Sequence, residues 1–233
     1  MITDKQPGIG LSGNQLKLLA LVFMTLDHIG LSLLPQYPLF RILGRLSLPI
    51  FAYMIAEGCR YTRNRMRYLL STTGLALVCQ LVYFFAMGSL YQCILVTFSL
   101  SIILIYALDW AFTQNKTAAW LALTTGFAGI TFAAVVLPGL LSNTDYAIDY
   151  GIWGILLPVW IYLGKTKTQA FLLCAMGLIL LATNSSPTQW YSLLALPLLA
   201  LYTGKRGKYN MKYLFYIYYP AHLVIIYLCT LLL

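Results

Sequence analysis

The chain has 233 residues, of which 61% are hydrophobic and 9% charged, and its formal net charge is +9. Because a soluble domain carries roughly 25% charged residues, this composition excludes one. The apolar residues form runs of roughly 15 to 23 residues separated by short polar loops, and about 20 such residues cross ~30 Å of hydrocarbon as a helix. The sequence therefore predicts an all-α, polytopic integral membrane protein built as a helical bundle.

About nine transmembrane helices are predicted, and the chain 1–233 is interpreted as one transmembrane domain. In chain order the spans lie near 15–34, 39–58, 68–87, 90–110, 117–137, 150–163, 169–184, 189–203 and 212–232. The sixth and seventh spans are short, which leaves open thin helices, tilted helices or one broken element. The first run is too long for a signal-peptide core and lacks a small-residue cleavage site, so we interpret it as a span.

In this arrangement, loops that contain Lys or Arg alternate strictly with loops that contain neither. Lys and Arg occupy the loops around 60–67, 116, 165–167 and 205–212, and none occurs near 35–38, 88–91, 138–149 and 184–188. Cytoplasmic loops are enriched in these residues, so the N-terminus is predicted inside and the C-terminus outside. The positive charge thus reflects orientation and contact with anionic headgroups and does not indicate nucleic acid. The scattered cysteines have no metal-ligand spacing, so no metal is predicted.

Ionisable residues inside the predicted spans are costly in a bilayer and need a partner or a function. They are Lys17, Asp27 and His28 in the first span, Arg41, Arg45 and Glu57 in the second, Asp109 at the end of the fourth and His222 in the ninth, and Asp149 lies just before the sixth. Lys17 is predicted near the cytoplasmic face. Asp27 and His28 follow about 15–17 Å further out. Arg41 and Arg45 reach a similar depth, one helical turn apart.

These depths predict a polar chamber in the outer half of the membrane, to which His222 and Asp149 also contribute. Neighbouring residues on a helix point about 100° apart, so we expect Asp27 to pair with an arginine of the second span and not with His28. A neutral imidazole is a natural general base near neutral pH, which makes His28 a candidate base. The alternative for His28, and equally for His222, is a structural hydrogen bond to a neighbouring helix.

Charged residues at the cytoplasmic end have simpler explanations. Pairing with Arg60 or Lys116 accounts for Glu57 and Asp109. The loop arginines, Arg60, Arg63, Arg65 and Arg67, form either a topology anchor that touches anionic lipid or a phosphate-binding patch, for which guanidinium geometry is well suited.

Several blocks of the sequence resemble the TraX family, whose members are linked to pilin acetylation in conjugation systems. The blocks are 16–30, 41–53, 57–64, 149–154 and 219–223, and the resemblance extends over nearly the whole chain. TraX-like proteins are similar to a broader group of membrane acyltransferases whose first span carries an Arg, ten residues and a His. Lys17 and His28 have this spacing, with Lys in place of Arg. Arg60 and Arg63 resemble the cytoplasmic Arg-x-x-Arg of that group.

The resemblance implies acetyl transfer across the inner membrane of a bacterium, from acetyl-CoA to an amine or hydroxyl, such as the N-terminal amine of a pilin subunit. It implies that the donor phosphates lie near Lys17 and the loop arginines, Arg60, Arg63, Arg65 and Arg67. His28 is implied as the general base, and Arg41 or Arg45, held by Asp27, as the oxyanion stabiliser. His222 is implied as a second base or a group that positions the acceptor.

Two other functions fit the same residues. A small proton-coupled transporter or flippase would use the intramembrane Asp, His and Arg side chains as a path, although the sequence shows no inverted repeat. A non-catalytic scaffold of a conjugation or secretion complex would use them only to lock helices together. Transfer of label from acetyl-CoA to an acceptor separates the enzyme from both alternatives.

Overall fold

A computed structural model describes residues 10–208 and 211–232, and all regular elements in these ranges are helical. The elements are α1 (Gly13–Ser32), α2 (Pro38–Gly44), α3 (Ser47–Tyr61), α4 (Arg65–Met87), α5 (Ile94–Gln114), α6 (Thr117–Thr131), a π-helical turn (Phe132–Val136), α7 (Leu137–Leu140), α8 (Gly151–Leu163), α9 (Lys167–Thr183), a 3₁₀ helix (Pro187–Ala195), α10 (Leu196–Ala200) and α11 (Lys212–Leu232). The predicted all-α class is confirmed.

Six helical segments of the described chain are long and apolar enough to cross a membrane, which confirms a multi-pass membrane protein. They are Gly13–Ser32, Pro38–Tyr61, Arg65–Phe85, Ile94–Gln114, Thr117–Leu140 and Leu214–Leu232. These segments correspond to the first five predicted spans and the ninth. The second joins α2 to α3, and the fifth joins α6 to α7 through the π-helical turn.

The other three predicted spans are shorter elements, and the count of nine stays a prediction. Helix α8 has 13 residues and α9 has 17, which correspond to about 20 and 26 Å. The eighth segment begins as a nine-residue 3₁₀ helix and ends as the five-residue α10. A 3₁₀ helix rises about 2.0 Å per residue. This segment therefore extends to roughly 25 Å, further than an α-helix with the same number of residues.

Burial differs among the elements: α8 is largely enclosed, whereas α9, the 3₁₀ helix and several long helices each leave an apolar face exposed. A buried core joins α1, α3, α8, α9 and the 3₁₀ helix, with Leu16, Ile50, Leu157 and Leu178 fully enclosed. The fifth long segment, Thr117–Leu140, is only 6% buried, against 61% for Pro38–Tyr61. Protein therefore surrounds α8 along most of its length, whereas α9 and the 3₁₀ helix each expose one face, with Leu172, Met176, Trp190 and Leu194 60%, 43%, 45% and 55% exposed.

Loops that carry basic residues gather at one end of the bundle, which we call the basic end. Arg60 donates to the backbone carbonyls of Tyr162 and Gly164 at 3.0 and 2.9 Å, and Lys167 donates to Thr203 O at 2.9 Å. Helices α1, α4 and α9 begin here, and the side chains of Ser12, Asn64 and Thr166 cap them, as exposed helix starts require. The loops without Lys or Arg form the opposite end.

Candidate active site

Asp27 of α1 is held by both arginines of the second long segment. Its carboxylate accepts hydrogen bonds from Arg41 Nη1 at 2.6 Å and from Arg45 Nη2 at 2.9 and 3.1 Å. The helices approach closely because Gly44 has no side chain: a Cβ there would lie 2.2 Å from Asp27 Oδ1. The predicted pairing of Asp27 is confirmed, and it involves both arginines at once.

Two polar side chains from distant segments complete the surroundings of Arg45. Arg45 Nη1 donates to the Tyr150 hydroxyl at 3.2 Å and to Gln189 Oε1 at 3.3 Å. Pro49 has no N–H to bond the Arg45 carbonyl, which accounts for the break between α2 and α3 at this residue. We refer to Asp27, Arg41, Arg45, Tyr150 and Gln189 as the arginine network.

Asp149 lies beside the arginine network, in the irregular loop before α8. The Tyr91 hydroxyl donates to its carboxylate at 2.6 Å, and Thr97 Oγ1 donates to its backbone carbonyl at 2.8 Å. Burial raises the pKa of Asp149 to about 6, although the Tyr91 hydrogen bond and the charge of Arg45 oppose that shift. Asp149 therefore adjoins the network through its neighbour Tyr150, and its carboxylate bonds Tyr91.

His28 and His222 form a pair across α1 and α11, with ring centroids 5.0 Å apart and an interplanar angle of 77°. His28 Nδ1 lies 2.8 Å from the Met24 carbonyl, and His222 Nδ1 lies 3.0 Å from the Tyr218 carbonyl. Because a carbonyl only accepts, each Nδ1 of a neutral ring carries its proton and each Nε2 is the basic atom. His222 is 4% exposed, and its Nε2 has no hydrogen-bond partner among the described residues.

A cleft of about 800 Å³ opens between α1, α3, α4 and α11 at the basic end. Lys17, Arg63, Arg67 and Arg206 line its outer part. Apolar and aromatic side chains line its deep part, namely Leu21, Phe51, Leu75, Leu95, Phe215 and Tyr219. Three of the five predicted donor-binding residues, Lys17, Arg63 and Arg67, therefore share one cavity.

The other two predicted donor-binding residues, Arg60 and Arg65, are engaged in ion pairs. Arg60 Nη1 lies 2.6 Å from Glu57 Oε1, and Arg65 Nη2 lies 2.6 Å from Asp109 Oδ2. The pairing of Glu57 with Arg60 agrees with prediction. For Asp109 the structure replaces the predicted partners with Arg65, because α4 begins directly beside the end of α5.

Helical spacing relates the cleft to the histidine pair. Lys17 and His28 are separated by about three turns of α1, so both lie on one face, about 16 Å apart along the axis. On α11, Tyr219 lines the deep end of the cleft and also meets the His222 ring, with centroids 5.3 Å apart. Tyr219 therefore belongs both to the lining of the cleft and to the surroundings of His222.

Sequence reasoning missed the neutral partners of these groups. Tyr150, Gln189, Tyr91 and Tyr218 all contact predicted site residues. Tyr150 lies in the block 149–154 that resembles the TraX family, and that block was the available signal for it. Gln189 is an uncharged residue in a short apolar run, and nothing in its sequence surroundings distinguishes it.

A multi-pass helical membrane protein with a cationic cleft beside a pair of histidines is the class that this architecture defines. The chain belongs to the TraX family, whose model, described as TraX protein, matches residues 12–230. The resemblance noted from the sequence is therefore confirmed.

Two curated proteins are similar to this chain. It is 29% identical to the "Probable fimbrial assembly protein FimC, serogroup H1" of Dichelobacter nodosus, over 94% of this chain and 95% of that protein. A stretch of 38 residues is 50% identical to the "Uncharacterized protein RP591" of Rickettsia prowazekii (strain Madrid E), covering 16% of this chain and 15% of that protein. No solved structure matches the chain.

Proposed function

We propose that this protein is an inner-membrane acetyltransferase that moves an acetyl group from cytoplasmic acetyl-CoA to an acceptor amine or hydroxyl in the outer half of the membrane. The observation that carries the proposal is the cationic cleft, because Tyr219 lines its deep end and also contacts the ring of His222. Family membership and the fimbrial assembly relative favour the N-terminal amine of a pilin subunit as the acceptor.

The proposed orientation has nine crossings, with the basic end in the cytoplasm, the N-terminus inside and the C-terminus outside. The gathering of the basic loops at one end supports it, because positively charged loops are retained on the cytoplasmic side. The extended 3₁₀ helix, and the core that joins it to α8 and α9, support the three short crossings. In this orientation the cleft opens toward cytoplasmic acetyl-CoA.

Donor binding is assigned to the outer part of the cleft. Lys17, Arg63 and Arg67 would contact the phosphates of CoA, for which guanidinium groups offer paired donors. The pantetheine arm would extend along the apolar deep part toward Tyr219. Arg60 and Arg65 would fix the loop between α3 and α4 through their ion pairs with Glu57 and Asp109.

In the proposed chemistry the acceptor attacks the thioester carbon, and its proton moves to Nε2 of His28 or His222. A carbon–nitrogen or carbon–oxygen bond forms, the carbon–sulfur bond breaks, and the CoA thiolate leaves and takes up the proton. Arg41, whose side chain is 30% exposed against 10% for Arg45, is the more accessible cation for the developing oxyanion. Asp27 would position both arginines.

The test uses purified protein in lipid nanodiscs with radiolabelled acetyl-CoA and a synthetic peptide that carries a pilin N-terminus. We expect label in the peptide, and a loss of about 10²- to 10⁴-fold in His28→Ala, the range typical of general-base removal. His222→Ala reports on the second imidazole, and thermal unfolding of each variant checks the fold. Full activity of His28→Ala would transfer the role of base to His222.

Absence of both CoA binding and label transfer in the wild-type protein would refute the enzyme hypothesis. Proton-coupled uptake by proteoliposomes, measured on the same preparation, would then support the transporter. If neither activity is found, the scaffold remains, and the variants should change only thermal stability.

A further inference from the structure

Tyr219 of α11 lies where the cleft meets the histidine pair. One side of the residue lines the deep end of the cleft, and its ring meets His222 edge to face at an interplanar angle of 83°. Tyr219 is 6% exposed. It belongs to a buried cluster that draws on four helical segments, with Leu21 and Met24 of α1, Cys79 of α4 and Cys93 at the start of α5. The ring is therefore fixed from several sides.

We propose that Tyr219 is a specificity-determining residue that restricts the transferred acyl group to the size of an acetyl group. This inference rests on the proposed acyltransferase function and concerns the same site. A donor entering by the cleft must bring its thioester carbon within about 3–3.5 Å of an acceptor beside the histidine pair. The acyl group then arrives at the part of the cleft that Tyr219 lines.

Packing explains why longer chains would be rejected. Protein interiors are close-packed, so each added methylene has to displace existing atoms. Around Tyr219 those atoms belong to His222 and to the buried residues Leu21 and Cys79, which are 5% and 0% exposed. An acetyl group presents only a methyl to this wall. A butyryl or octanoyl chain would require the ring to move away from His222, which would disturb the proposed base.

The proposal assigns selectivity to the ring of Tyr219 and not to its hydroxyl, and the variants separate these two groups. Tyr219→Phe keeps the ring and removes the hydroxyl, whereas Tyr219→Leu and Tyr219→Ala leave progressively more space at the deep end of the cleft. Acetyl-, butyryl- and octanoyl-CoA serve as probes of the protein in nanodiscs, with both binding and label transfer measured. The wild type and Tyr219→Phe should favour acetyl-CoA over octanoyl-CoA in kcat/KM by roughly tenfold or more. In Tyr219→Ala the preference should fall to within about threefold or reverse.

Phe215 provides a matched control on the same helix. It lies one turn nearer to the mouth of the cleft, and Lys17 Nζ sits 5.7 Å from its ring centroid. Phe215→Ala should weaken the binding of all three acyl-CoA molecules by a similar factor, because its ring lies about 6 Å nearer the mouth than Tyr219, beside Lys17, on the path of the donor that all three share. A change of chain-length preference in this variant equal to that of Tyr219→Ala would overturn the assignment to Tyr219.

Failure of this inference is distinguishable from failure of the proposed function. If the wild type uses all three donors equally, or if correctly folded Tyr219→Leu and Tyr219→Ala keep its preference for acetyl-CoA, Tyr219 is not selective and the acyltransferase stands. If the wild type neither binds nor consumes any acyl-CoA, the function fails and the inference fails with it. Should Tyr219→Ala not fold, Tyr219→Leu decides the question.

Discussion

The two ends of the molecule hold their charges in different ways. In the arginine network the side chains of Asp27 and Arg45 are 16% and 10% exposed, and they are joined by direct hydrogen bonds. At the basic end the pair of Arg65 and Asp109 is 52% and 24% exposed, and other cations line an open cleft. The exposed charges at the basic end can therefore rearrange around a ligand, whereas each charge of the network depends on its neighbours, as do Arg60 and Glu57 at the basic end.

Removing the charge of Asp27 should have the largest effect on stability. In Asp27→Asn the side-chain shape is kept, but Arg41 and Arg45 lose the carboxylate that both contact. Breaking a buried ion pair in this way typically costs about 3–5 kcal/mol, so we expect a large fall in thermal unfolding temperature in detergent. The matched control Asp109→Asn breaks the exposed pair and should cost less than about 1 kcal/mol. Equal effects of the two variants would contradict this difference between the two ends.

A methyl group at Gly44 should have the next largest effect. Gly44→Ala places a Cβ 2.2 Å from Asp27 Oδ1, so α1 and α2 must separate or the ion pairs must lengthen. Overpacking of this kind costs about 1–3 kcal/mol. Gly74→Ala in α4 is the control, because a Cβ there meets nothing within 4 Å. It should be neutral or stabilising by up to about 1 kcal/mol, since alanine favours the helix. Unfolding temperatures of both variants give the comparison.

The sequence predicted the parts of this architecture that depend on local regularity. Apolar runs located the long helices, and helical depth alone was sufficient to predict the Asp27 ion pair. The other two members of the network lie on irregular backbone. Tyr150 lies in the loop before α8, and Gln189 lies in a 3₁₀ helix. Irregular backbone has no residue period from which direction or distance can be calculated, so these contacts required the structure.

The loop arginines illustrate a second limit of sequence reasoning. Their composition indicated one basic patch, but the structure divides it: Arg63 and Arg67 line the cleft, whereas Arg60 and Arg65 turn to carboxylates. The division depends on where α3 ends and α4 begins, because one residue of difference rotates a side chain by about 100°. Helix boundaries are the least certain part of a prediction from sequence.

The burial of Asp149 beside the arginine network can be tested through the pH dependence of stability. Its pKa in the folded protein is about 6, raised from 3.8, so between these values the folded state retains a proton that the unfolded state has lost. This contribution to stability is complete below about pH 4 and is lost as the pH rises to about 6. One pKa unit corresponds to about 1.4 kcal/mol, so the effect is on the order of 3 kcal/mol.

In Asp149→Asn this part of the pH dependence should disappear. Unfolding temperatures of the wild type and the variant, measured from pH 4 to pH 7, should therefore differ in slope between about pH 4 and pH 6. Tyr91→Phe is the companion variant, because it removes the hydroxyl that donates to the carboxylate at 2.6 Å. Losing that donor should raise the pKa of Asp149 further and extend the window to higher pH. Identical slopes for wild type and Asp149→Asn would exclude this carboxyl as the source.

The smallest effect is expected at the cleft, where charges are exposed and individually weak. Arg67→Gln should reduce acetyl-CoA affinity about twofold to fivefold at low salt, which corresponds to less than about 1 kcal/mol. Added salt should remove most of that difference, since screening acts within about 10 Å at 0.1 M. Arg65→Gln, two residues earlier on α4, removes a guanidinium already paired with Asp109 and should leave the affinity nearly unchanged. Titrations of acetyl-CoA at several ionic strengths measure both. If Arg67→Gln and Arg65→Gln lose affinity equally, the ligand responds to the total charge of the basic end. If the loss in Arg67→Gln is the same at every ionic strength, the contact of Arg67 with the ligand is as desolvated as those of the arginine network.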